Sequence, residues 1–206
     1  MPRIELCVPQ IERAEAMELG AQWNAGGGFW QVPEGTDVTP LSRWFRARDH
    51  VNVSSTTFWV AVSRGRCPHC DTDTALCAVL VPPGHQVLVP DDEPDGDAWE
   101  AAEEPALLAD IVYVPESAAM HLNAVAPDYR LAYWEGSGSF CWMNHCEHCG
   151  AAIEDIEVSA ELGSPFMPAD EEQAEGITLT SVHDHFSATC GCYTFGFPYL
   201  EAMRRS

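Results

Sequence analysis

Two pairs of cysteines, each separated by two residues, constrain the fold of this chain more than any other feature. Cys67 and Cys70 enclose Pro-His, and Cys146 and Cys149 enclose Glu-His. Both pairs stand beside stretches rich in β-forming residues, and two such knuckles can present four thiolates to one tetrahedral Zn²⁺. We therefore predict that these residues, the four-cysteine cluster, bind one structural zinc ion. Four protein ligands leave no open position for water, so the pattern does not predict a catalytic metal.

The alternative is that each pair is a separate, exposed redox pair. Neither pair lies in a thioredoxin-like pattern, which favours one shared metal. Seventy-five residues separate Cys70 from Cys146, whereas the pairs of a compact ribbon lie about 15 to 20 residues apart. Closing a loop that is roughly five times longer costs only about 1.4 kcal/mol more, which is small beside an apparent zinc-binding free energy of about 10 to 16 kcal/mol. The spacing is therefore compatible with a shared ion.

The second pair belongs to a longer string that runs from Met143 through Asn144 and His145 to Gly150. With this string, residues 133–158 resemble uncharacterised bacterial zinc-ribbon proteins in which Met-Asn-His-Cys-x-x-Cys-Gly recurs. The resemblance implies a zinc ribbon and brings no established activity. From the residues alone, Gly150 is expected to adopt the left-handed backbone conformation that often follows the second ligand of a knuckle.

A second group of metal-type side chains lies further along the sequence. His183 and His185 are two residues apart, as are Cys190 and Cys192, so each pair falls on one face of an extended segment. These four residues either form a second metal site or are hairpin-end residues and buried thiols. If these residues form a second metal site with an open coordination position, that site could support the hydrolytic chemistry of a metallohydrolase.

The N-terminal residues predict a small β-α-β-β-α module. Alternation over residues 3–8 indicates a strand, and an apolar face after residue 10 indicates a short helix that ends at Gly20. Residues 24–28 (Asn-Ala-Gly-Gly-Gly) are typical of the turn between two further strands. The hydroxyl and the proline of Thr39-Pro40 then begin a second helix.

Six stretches of this segment form a specific pattern. They are Val8-Pro9, residues 16–21, Trp23-Asn24, residues 29–33, residues 35–37 and residues 43–45. With this pattern, residues 3–47 resemble a small bacterial domain of unknown function that accompanies plasmid-type primases and antirestriction-like proteins. The resemblance implies an accessory module of DNA-processing or mobile-element proteins. The family has no agreed catalytic residues, so the resemblance implies no catalytic site.

The remainder of the chain predicts a β-rich zinc-ribbon domain. Strands are expected at residues 56–63 and 74–81, 139–143 and 153–158, and 177–182 and 193–197. Residues 82–132 are expected to form an acidic, helical insertion, with helices over residues 107–112 and 115–126. We thus predict an α+β fold with two domains, residues 1–50 and 51–206.

The chain is strongly acidic, and its charge is unevenly distributed. The net charge is −22, from 32 carboxylates and ten arginines, with no lysine. Residues 1–66 are balanced, and the remainder, which includes the acidic run 91–97, carries the whole excess. Such a surface attracts a basic protein partner and repels nucleic-acid phosphates, or it serves solubility alone. The alternative partner is a nucleic acid bound weakly by Arg43, Arg46 and Arg48.

The cysteine count and the hydropathy pattern indicate the cellular compartment in which the protein is expected. The nine cysteines are an odd number, which fits metal ligands and reduced thiols better than a disulfide framework. We expect neither a secretion signal nor a membrane span, because the required apolar runs are missing from the sequence. The sequence therefore predicts a cytoplasmic, zinc-binding interaction module without catalytic activity.

Overall fold

The computed structural model describes residues 4–45, 50–89, 97–197 and 199–206. Within them the protein has a mixed α/β fold in which strands predominate, as predicted. The strands are β1 Glu5–Leu6, β2 Gln22–Asn24, β3 Phe29–Gln31, β4 Val53–Ser55, β5 Phe58–Arg66, β6 Asp73–Val81, β7 Gln86–Val89, β8 Ala98–Ala101, β9 Ala106–Tyr113, β10 Tyr129–Trp134, β11 Ser139–His145, β12 Ala152–Ile153, β13 Thr178–Val182, β14 Phe186–Phe195 and β15 Arg204–Arg205. The α-helices are α1 Arg13–Glu18, α2 Glu116–Val125, α3 Asp155–Ser159 and α4 Glu171–Ala174, and 3₁₀ helices span Gln10–Glu12, Thr39–Trp44 and Leu200–Ala202.

The N-terminal segment has the predicted order of elements, with a 3₁₀ helix in place of its second α-helix. Its sheet has the order β1-β3-β2, and Gly20 follows α1 with a φ of 98°. Trp30 and Trp44 are buried in one hydrophobic cluster with Val53 and Phe58. The segment therefore shares a core with the strands that follow it.

A nine-stranded sheet lies at the centre of the fold. Its strand order is β15-β13-β5-β6-β9-β14-β4-β7-β8, and its neighbours are antiparallel except for β13 and β15. Dense β-branched and aromatic residues favour these strands. The turn between β5 and β6 carries Cys67 and Cys70.

A second three-stranded sheet, β10-β11-β12, packs against this central sheet. Its strand β11 contacts β9 and β6. Tyr129 and Trp142 are buried at the interface, with ring centroids 5.8 Å apart. The turn between β11 and β12 carries Cys146 and Cys149, so the packing of the two sheets brings the two cysteine pairs to the same place.

The predicted helix over residues 107–112 is wrong, because Ala106–Tyr113 is a strand, β9. β9 lies between β6 and β14 in the central sheet. Its first four residues are all buried, so the alternation that identifies a half-buried strand is missing, and a short apolar run does not distinguish a buried strand from a helix. Residues 82–132 consequently contain strands β7 to β10 as well as the predicted helix α2.

The predicted strand over residues 153–158 is also largely wrong, because β12 ends at Ile153. Glu154 and Glu157 form a capping box that begins α3, and this motif satisfies amide groups of the first helical turn. The strands predicted around residues 56–63, 74–81, 139–143 and 177–182 are present as β5, β6, β11 and β13.

Parts of the charged segments lie outside the described residues. These parts are Arg46, Arg48 and residues 91–96 of the acidic run. Among the helices of the described ranges, none has the length and hydrophobicity that a membrane span requires.

Candidate metal centre

The four-cysteine cluster brings the sulfur atoms of both knuckles together. All four Sγ atoms lie within 4.8 Å of one another, with 3.7 Å between those of Cys67 and Cys149 and 3.6 Å between those of Cys70 and Cys146. A regular tetrahedron with Zn–S bonds of about 2.3 Å has edges of about 3.8 Å, whereas a disulfide bond is about 2.05 Å long. The geometry fits four thiolates around one ion, so the cluster can hold a metal.

The two knuckles share the same backbone geometry. In each, the residue after the second cysteine donates its amide to the carbonyl oxygen of the first, at 2.8 Å from Asp71 and 2.9 Å from Gly150. These residues have φ values of 55° and 71°, the left-handed conformation predicted for Gly150. The first sulfur of each knuckle accepts an amide hydrogen at 3.4 Å, from His69 and from His148. Such amide donors stabilise thiolate charge.

The side chains of His69 and His148 hold the knuckles against each other. Nε2 of His69 lies 3.1 Å from the carbonyl oxygen of Ala152, and Nε2 of His148 lies 3.1 Å from that of Asp73. Each imidazole thus reaches the strand that leaves the opposite knuckle, and each donates from Nε2. Sequence reasoning assigns these histidines no role. The signal that identifies them is a histidine directly before the second cysteine of both pairs.

Arg64 and Arg66 precede the first pair, and from the sequence they are expected to donate to the thiolates. In the structure they contact oxygen atoms instead. Arg64 forms ion pairs with Asp73 and Glu147, and Arg66 donates to the carbonyl oxygen of Asp71 at 2.7 Å and pairs with its carboxylate. The arginines therefore neutralise carboxylates beside the knuckles, and the sulfurs accept hydrogen bonds from backbone amides.

Two side chains, one in the second knuckle and one in β11 just before it, complete the hydrogen bonding of β6. On one side, β6 pairs with β9 at Val79–Val81. On that same side, the part of β6 nearer the knuckle has no strand partner among the described residues. The side chain of Asn144 accepts from the amide of Cys77 at 2.6 Å and donates to its carbonyl oxygen at 2.9 Å. The carboxylate of Glu147 accepts from the amide of Ala75 at 2.8 Å. These contacts dock the second knuckle on β6 and align it with the first.

Comparison with known proteins finds a family match within the N-terminal segment. Residues 3–46 match the family model described as Domain of unknown function (DUF5710). A segment of 37 residues is 46% identical to DNA primase TraC from Escherichia coli and covers 18% of this chain but 3% of that protein. No solved structure matches the chain. The N-terminal resemblance inferred from the sequence is therefore confirmed, and the four-cysteine cluster lies outside the family match.

The second group of metal-type side chains is not assembled into a site. It comprises His183, His185, Cys190 and Cys192. Among the described residues, the group with metal-site geometry is the four-cysteine cluster. Both histidines are exposed; Cys190 is buried beside Asn52, and Cys192 lies 3.9 Å from a carboxylate oxygen of Asp110. Cys190 thus follows the second alternative as a buried thiol, whereas Cys192 is exposed, and among the described residues these four do not form a group with metal-site geometry.

Of the three arginines proposed to contact nucleic acid, Arg43 lies in the described residues. Its guanidinium group forms ion pairs with Glu15 and Glu116 and lies 4.2 Å above the ring of Trp44. Its charge is therefore neutralised within the protein, which weakens it as a phosphate ligand.

A constellation that the sequence does not predict surrounds a cavity of about 290 Å³. This carboxyl cavity is lined by residues of β9, β10, β11, β14 and α3 and includes Asp110, Trp134, Cys141, Glu154, Asp155 and Cys192. The carboxylate of Asp155 accepts the amide hydrogen of Asp110 at 2.8 Å. Burial raises the pKa of Asp155 to about 7 and also raises the pKa of Asp110. No motif signals the cavity, because these carboxyls are 45 residues apart in the sequence.

Replacing Asp155 by asparagine is expected to flatten the pH dependence of stability. A carboxyl with a raised pKa in the folded protein contributes stability below its unfolded pKa of about 4, and this contribution is lost as the pH rises through about 7. Between pH 5 and 8 the wild type should lose on the order of 2 kcal/mol more stability than Asp155→Asn. Urea denaturation of both proteins across this range measures the difference, and parallel pH profiles would contradict it.

Proposed function

We propose that the chain is a zinc-stabilised interaction module that binds a protein partner and catalyses no reaction itself. The observation that carries this proposal is the closed geometry of the four-cysteine cluster, in which four sulfurs surround one position. An ion with four protein ligands has no coordination position for a substrate, so it acts by fixing the two knuckles. Zinc is the proposed metal because paired C-x-x-C knuckles are typical of structural zinc sites.

The charge of the protein supports a basic partner. Of its ten arginines, several are already engaged within the protein. Arg43, Arg64, Arg66 and Arg130 form ion pairs, and Arg205 lies 5.0 Å from the ring centroid of Trp59. The carboxylates therefore dominate the surface potential, which attracts a cationic surface and repels phosphate.

The α4 patch concentrates this charge on one short helix. It comprises Glu171, Glu172 and Glu175, all exposed. Asp170 caps the helix by accepting the amide hydrogen of Gln173 at 2.8 Å. Within the described ranges no arginine or histidine forms an ion pair with the α4 patch. Its charges are therefore available to a partner.

Salt dependence tests the proposed interaction. A partner captured by the immobilised protein and then purified should bind at least about tenfold more weakly when NaCl is raised from about 0.05 to 0.5 M, because screening shortens the range of the acidic field. Neutralising the α4 patch with Glu171→Gln, Glu172→Gln and Glu175→Gln should reduce the salt dependence. A matched control neutralises exposed Glu100, Glu103 and Glu104 instead. Salt-insensitive binding would contradict an electrostatic partner surface.

A second candidate function is an accessory role at nucleic acid. The similarity to E. coli DNA primase TraC favours it, although the match spans 3% of that protein. The ion pairs of Arg43 with Glu15 and Glu116 weigh against it. An electrophoretic shift of DNA that is lost on replacing Arg43, Arg46 and Arg48 by alanine would support this role, and a shift that survives would exclude these arginines.

A further inference from the structure

The carboxyl cavity combines a partly enclosed volume with negative charge. Its volume is about 290 Å³, and its wall includes the apolar side chains of Met143 and Ile156 and the indole ring of Trp134. Ligand sites of this kind pair a mostly apolar wall with a few polar groups that orient the ligand. We propose that the cavity binds a small organic cation, whose ammonium or guanidinium group lies between Asp155 and Asp110.

The negative charge of the cavity lacks an internal counter-ion. Asp110, Glu154 and Asp155 line it, and in the described part of the chain no arginine or histidine forms an ion pair with any of them. An enclosed charge interacts more strongly with an opposite charge than an exposed one does, because less water screens it. A cation in the cavity would supply the missing opposite charge.

One oxygen atom of Asp155 is left for a ligand. Oδ2 accepts the amide hydrogen of Asp110 at 2.8 Å, whereas no group among the described residues donates to Oδ1. Burial raises the pKa of this carboxyl to about 7, so the surrounding protein does not solvate its charge well. An N–H group of a bound cation would satisfy Oδ1 and stabilise the charged form.

The position of Asp110 depends on an unusual backbone conformation. Its φ is 53° although it lies within β9, and non-glycine residues in this conformation are concentrated at functional sites. The pairs on either side, Cys190 with Ile111 and Cys192 with Ala109, leave Gly191 of β14 opposite Asp110. A Cβ atom at position 191 would lie 2.9 Å from the Cβ of Asp110, so glycine there leaves room for the aspartate. β9 and β14 thus together position the carboxyl group of Asp110 at the cavity wall.

The donor set suits an organic cation better than a bare metal ion. In the described ranges, the four-cysteine cluster is the group whose ligand atoms converge on one ion, and the carboxyl cavity forms no such group. The volume of about 290 Å³ exceeds what a bare ion fills. An alkyl ammonium or alkyl guanidinium has carbon for the apolar wall, nitrogen donors for Asp155 and a charge that an indole ring such as that of Trp134 attracts.

The cationic group has two possible sources. It belongs either to a free amine or to an arginine side chain of a basic partner. The inference goes beyond the proposed function, because a free cation would fill the cavity without any partner.

Proton release provides a specific readout near pH 7. A cation favours the charged form of Asp155, so binding should expel protons from a carboxyl whose pKa is about 7. The other titratable groups that face or sense Asp155 are Asp110, Glu154, Cys141, Cys192, Tyr129 and Cys77. Burial raises the pKa of both cavity thiols, of Cys77 and of Tyr129, which keeps these groups neutral.

Isothermal titration calorimetry of the full chain at pH 7 tests the inference. The probes are agmatine, a free cation, and N-acetyl-arginine amide, which mimics a partner's side chain; N-acetyl-citrulline amide is their neutral control. We expect a dissociation constant of about 1 mM or tighter for at least one cationic probe, with a binding enthalpy that varies with the ionisation enthalpy of the buffer. Binding of agmatine alone identifies a free ligand, and binding of the arginine amide identifies a side-chain ligand.

Two variants assign the binding to the cavity. Asp155→Asn keeps an acceptor for the amide of Asp110 but removes the charge, so it should bind the cationic probes about tenfold more weakly and release no proton. Glu161→Gln, an exposed residue outside the cavity wall, makes the same change in net charge and should bind as the wild type does. Thermal denaturation confirms that both variants fold. The inference is overturned if neither cationic probe binds, if the citrulline probe binds equally, or if Asp155→Asn binds like the wild type.

Discussion

Cys146→Ala is expected to bind no metal and to be largely unfolded at room temperature. Cys146 is 2% exposed, and its sulfur lies 3.6 Å from that of Cys70, so its loss removes one of four ligands from a shared site. The apparent zinc-binding free energy of such a site is about 10 to 16 kcal/mol, comparable to the whole stability of a typical domain, about 5 to 15 kcal/mol. Elemental analysis and circular dichroism of the purified variant measure both effects.

Cys77→Ala is the matched control for this variant. Cys77 is also 2% exposed and is a free thiol, but it lies outside the four-cysteine cluster. Its replacement should cost about 1 kcal/mol through lost packing, and the variant should retain the full metal content. The wild type should contain one equivalent of zinc per chain. A Cys146→Ala protein that keeps this equivalent, or that denatures like Cys77→Ala, would exclude a structural metal at the cluster.

The four-cysteine cluster could be predicted because a cysteine knuckle is a local structure. Two cysteines three positions apart, followed by a residue able to adopt positive φ, specify most of its geometry, and Gly150 has the φ that this pattern requires. Chemistry predicts the convergence of the pairs, since four thiolates suit one tetrahedral ion. What the sequence could not provide is the docking of the knuckles by Asn144, His69 and His148, whose partners lie in other strands.

Neither the carboxyl cavity nor the central strand β9 could be predicted, because both depend on contacts between distant segments that leave no local signal in the sequence. β9 is buried on both faces, so its apolar residues carry no periodic signal, and from the sequence residues 107–112 are expected to form a helix. Asp110 interrupts this apolar run, and a polar residue within a buried strand signals a function only once its neighbours are known. Because its neighbours Asp155 and Gly191 come from distant segments, the cavity exists as a consequence of the fold.

Asn144→Ala is expected to destabilise the protein by about 3 kcal/mol, because it leaves two buried backbone groups unpaired at a cost of about 1 to 3 kcal/mol each. Asn144 is 2% exposed, and its amide contacts both the N–H and the carbonyl oxygen of Cys77. These backbone groups of Cys77 lie on the edge of β6 that precedes Val79 and is not paired with β9. The midpoint of urea denaturation should shift accordingly, while the native variant keeps one equivalent of metal, since all four thiolates remain.

The retained metal separates this effect from that of Cys146→Ala. Asn123→Ala is the control, because Asn123 is exposed on α2 and alanine is the better helix former, so its stability should be unchanged or slightly higher. If Asn144→Ala denatures like Asn123→Ala, the edge of β6 does not need a side-chain partner. If it loses its metal as well as its stability, the docking of β11 on β6 is what holds the second knuckle against the first, and the cluster depends on the sheet as much as on its four ligands.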